Sequence, residues 1–283
     1  MNCIVRRMER SEVDFAVEQA AKEGWNPGLE DAAVFFETDP GGFFIALADK
    51  KPVGCISAVT YGDDFAFVGF FIVLEEFRRQ GCGVQLGQAA LEYLKTTHTI
   101  GVDGVLAQQK NYERSGFRFA CSNIRYEYKI VVPVPFVQSM TIFSEVPSGL
   151  GEVLAYDRQC FPAARKVFLE KWLAMKSAKA WFWVEGGELK GYGVIRKCRT
   201  GYKIGPLFAD SEVIARDLFL RLCSFAELPA SVYLDIPASN PGGIRLAQTL
   251  GMQPVFKTAR MYLGPEPEIQ VQKIFGVTSF ELG

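Results

Sequence analysis

Arg78, Arg79, Gln80, Gly81, Cys82 and Gly83 stand together in "FRRQGCGVQLG", between an apolar run and a helix-like stretch. Residues of these types in this order suit an anion. The first N–H groups of a helix have no partner within it and sit at the positive end of its dipole. Glycines let a ligand approach bare backbone, and two guanidinium groups add charge. A pyrophosphate is a ligand that such a turn can cradle. Two common phosphate loops do not fit. A Walker A loop needs Gly-Lys followed by Ser or Thr, and here Gly87 is followed by Gln88. A dinucleotide fingerprint needs a third glycine where Leu86 stands. An ordinary glycine turn with surface arginines is the plain alternative. The arginines beside Cys82 would favour a thiolate, but its position inside the turn reads as structural.

Composition removes several other chemistries. The chain has 283 residues, 49% of them hydrophobic, enough for two domains with a core each. With 31 basic and 32 acidic residues, no net field points to nucleic acid or a membrane surface. No apolar stretch approaches the ~20 residues of a membrane span, and the N-terminus lacks a signal-peptide core. Seven cysteines are scattered without a CxxC, which argues against a disulfide framework and a zinc site. A cytoplasmic protein with no metal is expected. The single histidine, His98, lies in polar "KTTHT" and reads as a solvated loop residue, so Ser-His-Asp and multi-histidine metal chemistry are not expected.

The elements that must position the turn follow from periodicity. A strand at "CIVRRM" precedes a helix capped by Ser11 and stopped by Gly24, then a second short helix over "LEDAAVFFET". "FFIALADKKPVGCISAVTY" reads as two strands, and "FAFVGFFIVL" as a buried central one. In the helix after the turn, Val84, Gly87, Leu91 and Leu94 form the expected core stripe. "GVDGVLA" is a strand, "QQKNYERSG" a helix, and "FRFACSNIRYEYKI" a strand pair. "VVPVPF" (131–136) reads as an extended linker. Beyond it a strand at "TIFSEV" opens a second half with the same order. Gly116 to Arg125 and Gly251 to Arg260 both span nine residues, which points to a duplication.

The pattern Arg78-x-x-Gly81-x-Gly83 on a buried strand, followed later by "YERSGF", resembles the GNAT acetyltransferase superfamily. The element order matches that family. With "YDRQCFPAARKVFL", "IGPLFAD", "ARMYLG" and "VTSFELG", the chain also resembles a bacterial two-domain GNAT group. The resemblance implies an α/β fold with a mixed sheet in two tandem domains, 1–132 active and 133–283 degenerate. It implies acetyl-CoA as cosubstrate. Backbone of Arg79 to Gly83 would hold the pyrophosphate, and backbone groups near Ile72, Val73 and Leu74, left free by a splayed strand, would hold pantetheine. Tyr112 would protonate the leaving thiolate. Trp25 and Asn26, in the connection that overhangs the acceptor in such folds, are acceptor-site candidates.

Three departures stand against the family pattern. The central strand carries no base carboxylate, which leaves Glu75, Asp63 or water. Val105 replaces an Asn often found seven residues before the tyrosine. In the second half "LFADSEVIA" lacks the arginines and the G-x-G, and Ala247 stands where Tyr112 should, although Asn240 is retained. The expected function is N-acetylation of a small amine in a ternary complex, by a chain that forms a homodimer or acts alone. The rival is a non-catalytic acyl-CoA sensor.

Overall fold

The computed structural model describes residues 3–135, 142–143 and 149–283. Part of the expected linker and most of "TIFSEV" lie outside them. The first half runs β1 (Ile4–Arg7), α1 (Val13–Lys22), α2 (Asp31–Thr38), β2 (Phe43–Ala48), β3 (Lys51–Tyr61), β4 (Phe65–Val73), α3 (Cys82–Tyr93), β5 (Thr99–Val105), α4 (Gln109–Arg114) and β6 (Arg118–Ile130). The second runs β7 (Ile142–Phe143), α5 (Leu150–Asp157), α6 (Lys166–Leu173), β8 (Ala178–Glu185), β9 (Glu188–Lys197), β10 (Tyr202–Ala209), α7 (Glu212–Cys223), β11 (Ala230–Pro237), α8 (Pro241–Thr249), β12 (Gln253–Leu263) and β13 (Ile274–Gly276). The fold is α/β with a mixed sheet, in the element order the sequence gives.

The strands join into one sheet in the order β1-β2-β3-β4-β5-β12-β6-β11-β10-β9-β8-β7, with β13 against β10. The last long strand of each half therefore pairs with the other half: β12 lies on β5, and β6 on β11. The nine-residue spacing now has a physical meaning. Arg125 on β6 meets Asp235 on β11 through two 2.7 Å hydrogen bonds. Arg260 on β12 meets Asp103 on β5 at 2.8 and 2.6 Å. Where β6 and β12 pair, Arg125 opposes Phe256 and Arg260 opposes Cys121. A two-fold relation between the halves exchanges these positions. All four charged side chains are almost fully buried. Removing one partner from such a pair leaves an uncompensated buried charge, at a cost of about 3–5 kcal/mol.

A shared core lies on one face of the sheet. It takes Val13, Phe35 and Phe70 from the first half and Phe168, Trp172 and Phe280 from the second. Phe35 stacks on Trp172 with ring centroids 5.9 Å apart. Helices α3 and α7 pack on the other face, in two separate clusters.

The structure corrects four expectations. "FRFACSNIRYEYKI" is one 13-residue strand, because β12 and β11 supply partners along both its edges. In α3 the buried face is Cys82, Leu86 and Ala90, while Val84 and Leu91 of the expected stripe are exposed and Leu94, at the helix end, is buried as expected. Cys82 is joined to Cys3 by a disulfide, and with Leu86 and Ala90 it packs into the apolar cluster on that face of the sheet. This cross-link is also a correction in its own right. It spans 79 positions of sequence, and the spacing gave no sign that sheet and helix bring the two together. Finally, Ser11 is not the cap of α1. A short 3-10 turn intervenes, capped reciprocally by Glu9 and Glu12.

Candidate active site

Strands β4 and β5 run parallel and pair only from Phe65↔Thr99 to Val68↔Val102. Both continue, β4 to Val73 and β5 to Val105, but unpaired with each other. The cause is local. Opposite Ile56 of β3, β4 inserts two residues, Phe70 and Phe71, as a bulge. Phe70 sits at φ +46°, a conformation rarely adopted by a bulky side chain. The bulge bends β4 away from β5 and turns its backbone edge toward the gap.

That gap is a slot of about 50 Å³ passing through the sheet. Tyr112 and Gln108 line it near α4, on the α3 side. Trp25, Phe256, Thr258 and Phe280 line it on the side of the shared core. The Tyr112 ring packs edge-on against Phe117, at 5.7 Å between centroids. Gly104 makes room for it, since a Cβ there would stand 2.6 Å from the ring. Burial pushes the Tyr112 phenol up to about 12, so it is protonated at neutral pH.

The glycine turn opens beside the slot. Gly81, at φ +92°, is the residue preceding α3. Apart from its chain neighbours, no atom of the described residues lies within 4 Å of where its Cβ would be. The turn's side chains mostly hold the turn itself. Arg78 donates from Nε to the Val73 carbonyl at 2.8 Å and from Nη2 to Glu23 at 2.7 Å. Gln80 bonds the Glu76 carbonyl, and Cys82 is in the disulfide. What remains for an anion is the start of α3, whose first N–H groups have no partner in the helix, and the exposed Arg79 at φ +63°.

The backbone near Ile72, Val73 and Leu74 is less free than expected. Leu74 donates its N–H to Val53 at 2.9 Å, and strand alternation turns Ile72 the same way, toward β3. Val73 faces the gap, but its carbonyl accepts from Arg78. At the bulge, Gly69, Phe70 and Phe71 line the slot, and the Phe70 carbonyl accepts from Cys55 Sγ at 3.2 Å. Trp25 reaches the slot, and its carbonyl is fixed by Arg125 at 2.9 Å and Lys203 at 2.8 Å. The Asn26 amide is used at both ends, on the backbone N–H and carbonyl of Thr200. It ties the α1–α2 connection to the second half and lines an adjoining cleft of about 380 Å³. Of the base candidates, Glu75 and Asp63 are exposed and line no part of the slot. Asp103 does line it, but Arg260 and Asn123 occupy both its oxygens.

The corresponding place in the second half is closed. Strands β10 and β11 part after Ile204↔Leu234, and β13 fills the gap, pairing Leu207 with Gly276. Asn240 holds that plug. Its Nδ2 donates to the carbonyls of Gln272 and Ile274 while its Oδ1 caps α8. The N-terminus of α7 has Ser211 accepting from Ile214 and Glu212 in its first turn, which disfavours an anion. No sequence signal exposed the plug, because β13 is only three residues long. Among the described residues no three or more His, Cys, Asp or Glu side chains are grouped to hold a metal. None of the described helices is long and apolar enough to cross a membrane.

Residues 8–117 match the acetyltransferase (GNAT) family, and residues 153–276 match an acetyltransferase (GNAT) domain. Holothin acyltransferase from Pseudoalteromonas sp. (strain SANK 73390) is 29% identical over 269 residues, covering 94% of this chain and 90% of that one. A putative acetyltransferase from Pyrococcus horikoshii has the same fold. Its TM-score is 0.83 at 23% identity, with 99% of this chain and 96% of that chain covered. A tandem GNAT protein from the clavulanic acid biosynthesis pathway aligns with a TM-score of 0.66 at 15% identity, covering 94% and 100%.

Proposed function

Because the chain belongs to the GNAT superfamily of acyltransferases, with two such domains in tandem, we propose that it transfers an acetyl group from acetyl-CoA to the amine of a small molecule. The first half does the chemistry. The observation that carries this reading is the open β4–β5 slot, with the Gly81 turn beside it and Tyr112 in its wall. A water needs roughly 10–15 Å³ by a comparable measure, so the slot suits an acetyl group better than a long acyl chain. The acceptor comes from the other side of the sheet, through the cleft shared by the α1–α2 connection, β6 and the 199–200 turn. Walls from both halves favour a small molecule over a protein. The chemistry needs no metal, and a cytoplasmic setting supplies the CoA ester.

The amine lone pair attacks the thioester carbon. The C–N bond forms, the C–S bond breaks, and Tyr112 gives its proton to the sulfur and regains one from solvent. The surplus proton on nitrogen leaves to water. Calorimetric titration with CoA is expected to give one site per chain, since β13 closes the second gap. Two sites of similar affinity would overturn the assignment to the first half.

A further inference from the structure

Two fully buried polar atoms at or beside the core side of the slot have no hydrogen-bond partner among the described residues: Thr258 Oγ1, in the slot's lining, and Asn123 Oδ1, on the next strand. Both residues are only 1% exposed. Buried polar groups are nearly always paired, and an orphan calls for an explanation. Thr258 lines the slot. It stands on β12, directly opposite Asn123 of β6 on one side and Val105 of β5 on the other. Opposed residues of neighbouring strands present their side chains to the same face a few ångströms apart.

The orientation of Asn123 is fixed by chemistry. Its amide meets Asp103 Oδ1 at 2.8 Å, and an ionised carboxylate only accepts, so Nδ2 faces Asp103 and Oδ1 is the atom left over. Asp103 is in turn locked by Arg260. The result is a rigid pair, one hydroxyl and one carbonyl oxygen, both able to accept. A primary amine that aims its lone pair at a thioester in the slot has two N–H bonds to place. We propose that Thr258 Oγ1 and Asn123 Oδ1 hold those two N–H groups, so that the second half positions the nucleophile of the first. The inference rests on the acetyl transfer proposed above. It makes Thr258 and Asn123 positioning residues and selects primary over secondary amines.

Thr258→Val keeps the shape and deletes the hydroxyl. Replacing a buried hydroxyl that no described protein group bonds by a methyl of the same shape is nearly neutral or stabilising, so the melting temperature should stay level or rise. Thiol release from acetyl-CoA is followed with 2-phenylethylamine and with N-methyl-2-phenylethylamine. The wild type should favour the primary amine. Thr258→Val should lower kcat/KM for it by about 10–100-fold and lose most of that preference, with CoA affinity unchanged. Thr258→Ser should restore the rate. A Thr258→Val enzyme with wild-type kinetics, or a serine variant as slow as the valine one, overturns the assignment while acetyl transfer stands. A wild type that binds CoA but transfers to neither amine contradicts the acceptor chemistry itself, and the proposal falls with it.

Discussion

A Gly81→Val variant is expected to fold and to lose CoA binding, with affinity down by about 10³-fold or more. Gly81 sits at φ +92° at the start of α3, where a β-branched residue is strained. Space is not the difficulty, since apart from the chain neighbours nothing among the described residues lies within 4 Å of the added Cβ. The strain is of order 1–3 kcal/mol, which a chain of this size survives. The turn relaxes by changing its dihedrals, and that swings the free N–H groups at the head of the helix away from a common focus. Hydrogen bonds to a charged partner are worth about 1.5–3 kcal/mol each. Losing two or three of them removes roughly three decades of affinity or more. Calorimetry measures the binding and a thermal melt the fold. A folded variant with wild-type affinity would place the pyrophosphate elsewhere.

Replacing Tyr112 by Phe is expected to lower kcat by about 10²–10⁴-fold, the usual range for a general acid, while CoA affinity moves only a few-fold. The ring packs on Phe117 and fills the space left by Gly104, and phenylalanine keeps both contacts. Only the hydroxyl is deleted. Burial holds that hydroxyl in its protonated form at neutral pH, the state a proton donor needs. The acid limb of the rate profile should therefore be unaffected by Tyr112, and a loss of rate from this group should set in only well above neutrality. Single-turnover kinetics isolates the chemical step. An unchanged chemical rate would make Tyr112 a packing residue.

The glycine turn, the tyrosine and the order of elements were legible because each is local. The turn is six adjacent residues, and the strands and helices declare themselves within windows of about a dozen positions. What was not legible is long-range register. The equal spacings to Arg125 and Arg260 announced a duplication, but nothing near either arginine says that its carboxylate lies in the other half, at Asp235 and Asp103. The exchange of β6 and β12 makes the second half a wall of the first half's slot through Phe256 and Thr258, and Phe280 near the chain's end joins them. Asn26 was a natural acceptor candidate from its place between α1 and α2. Its amide instead fastens that connection to Thr200, a partner 174 positions away. The core face of α3 was misassigned because the rows 84-87-91 and 82-86-90 are both helical. The buried row is the one that carries Cys82, whose disulfide partner Cys3 lies 79 positions away, just before β1.

The central claim is that this chain moves an acetyl group from CoA to a small amine. The most direct measurement incubates the protein with acetyl-CoA and a panel of small primary amines, following thiol release and product mass together. The account predicts amine-dependent thiol release, matched by products carrying one added acetyl group. Tight CoA binding with no amine-dependent release across the panel would contradict it and would make the chain a binder of acyl-CoA.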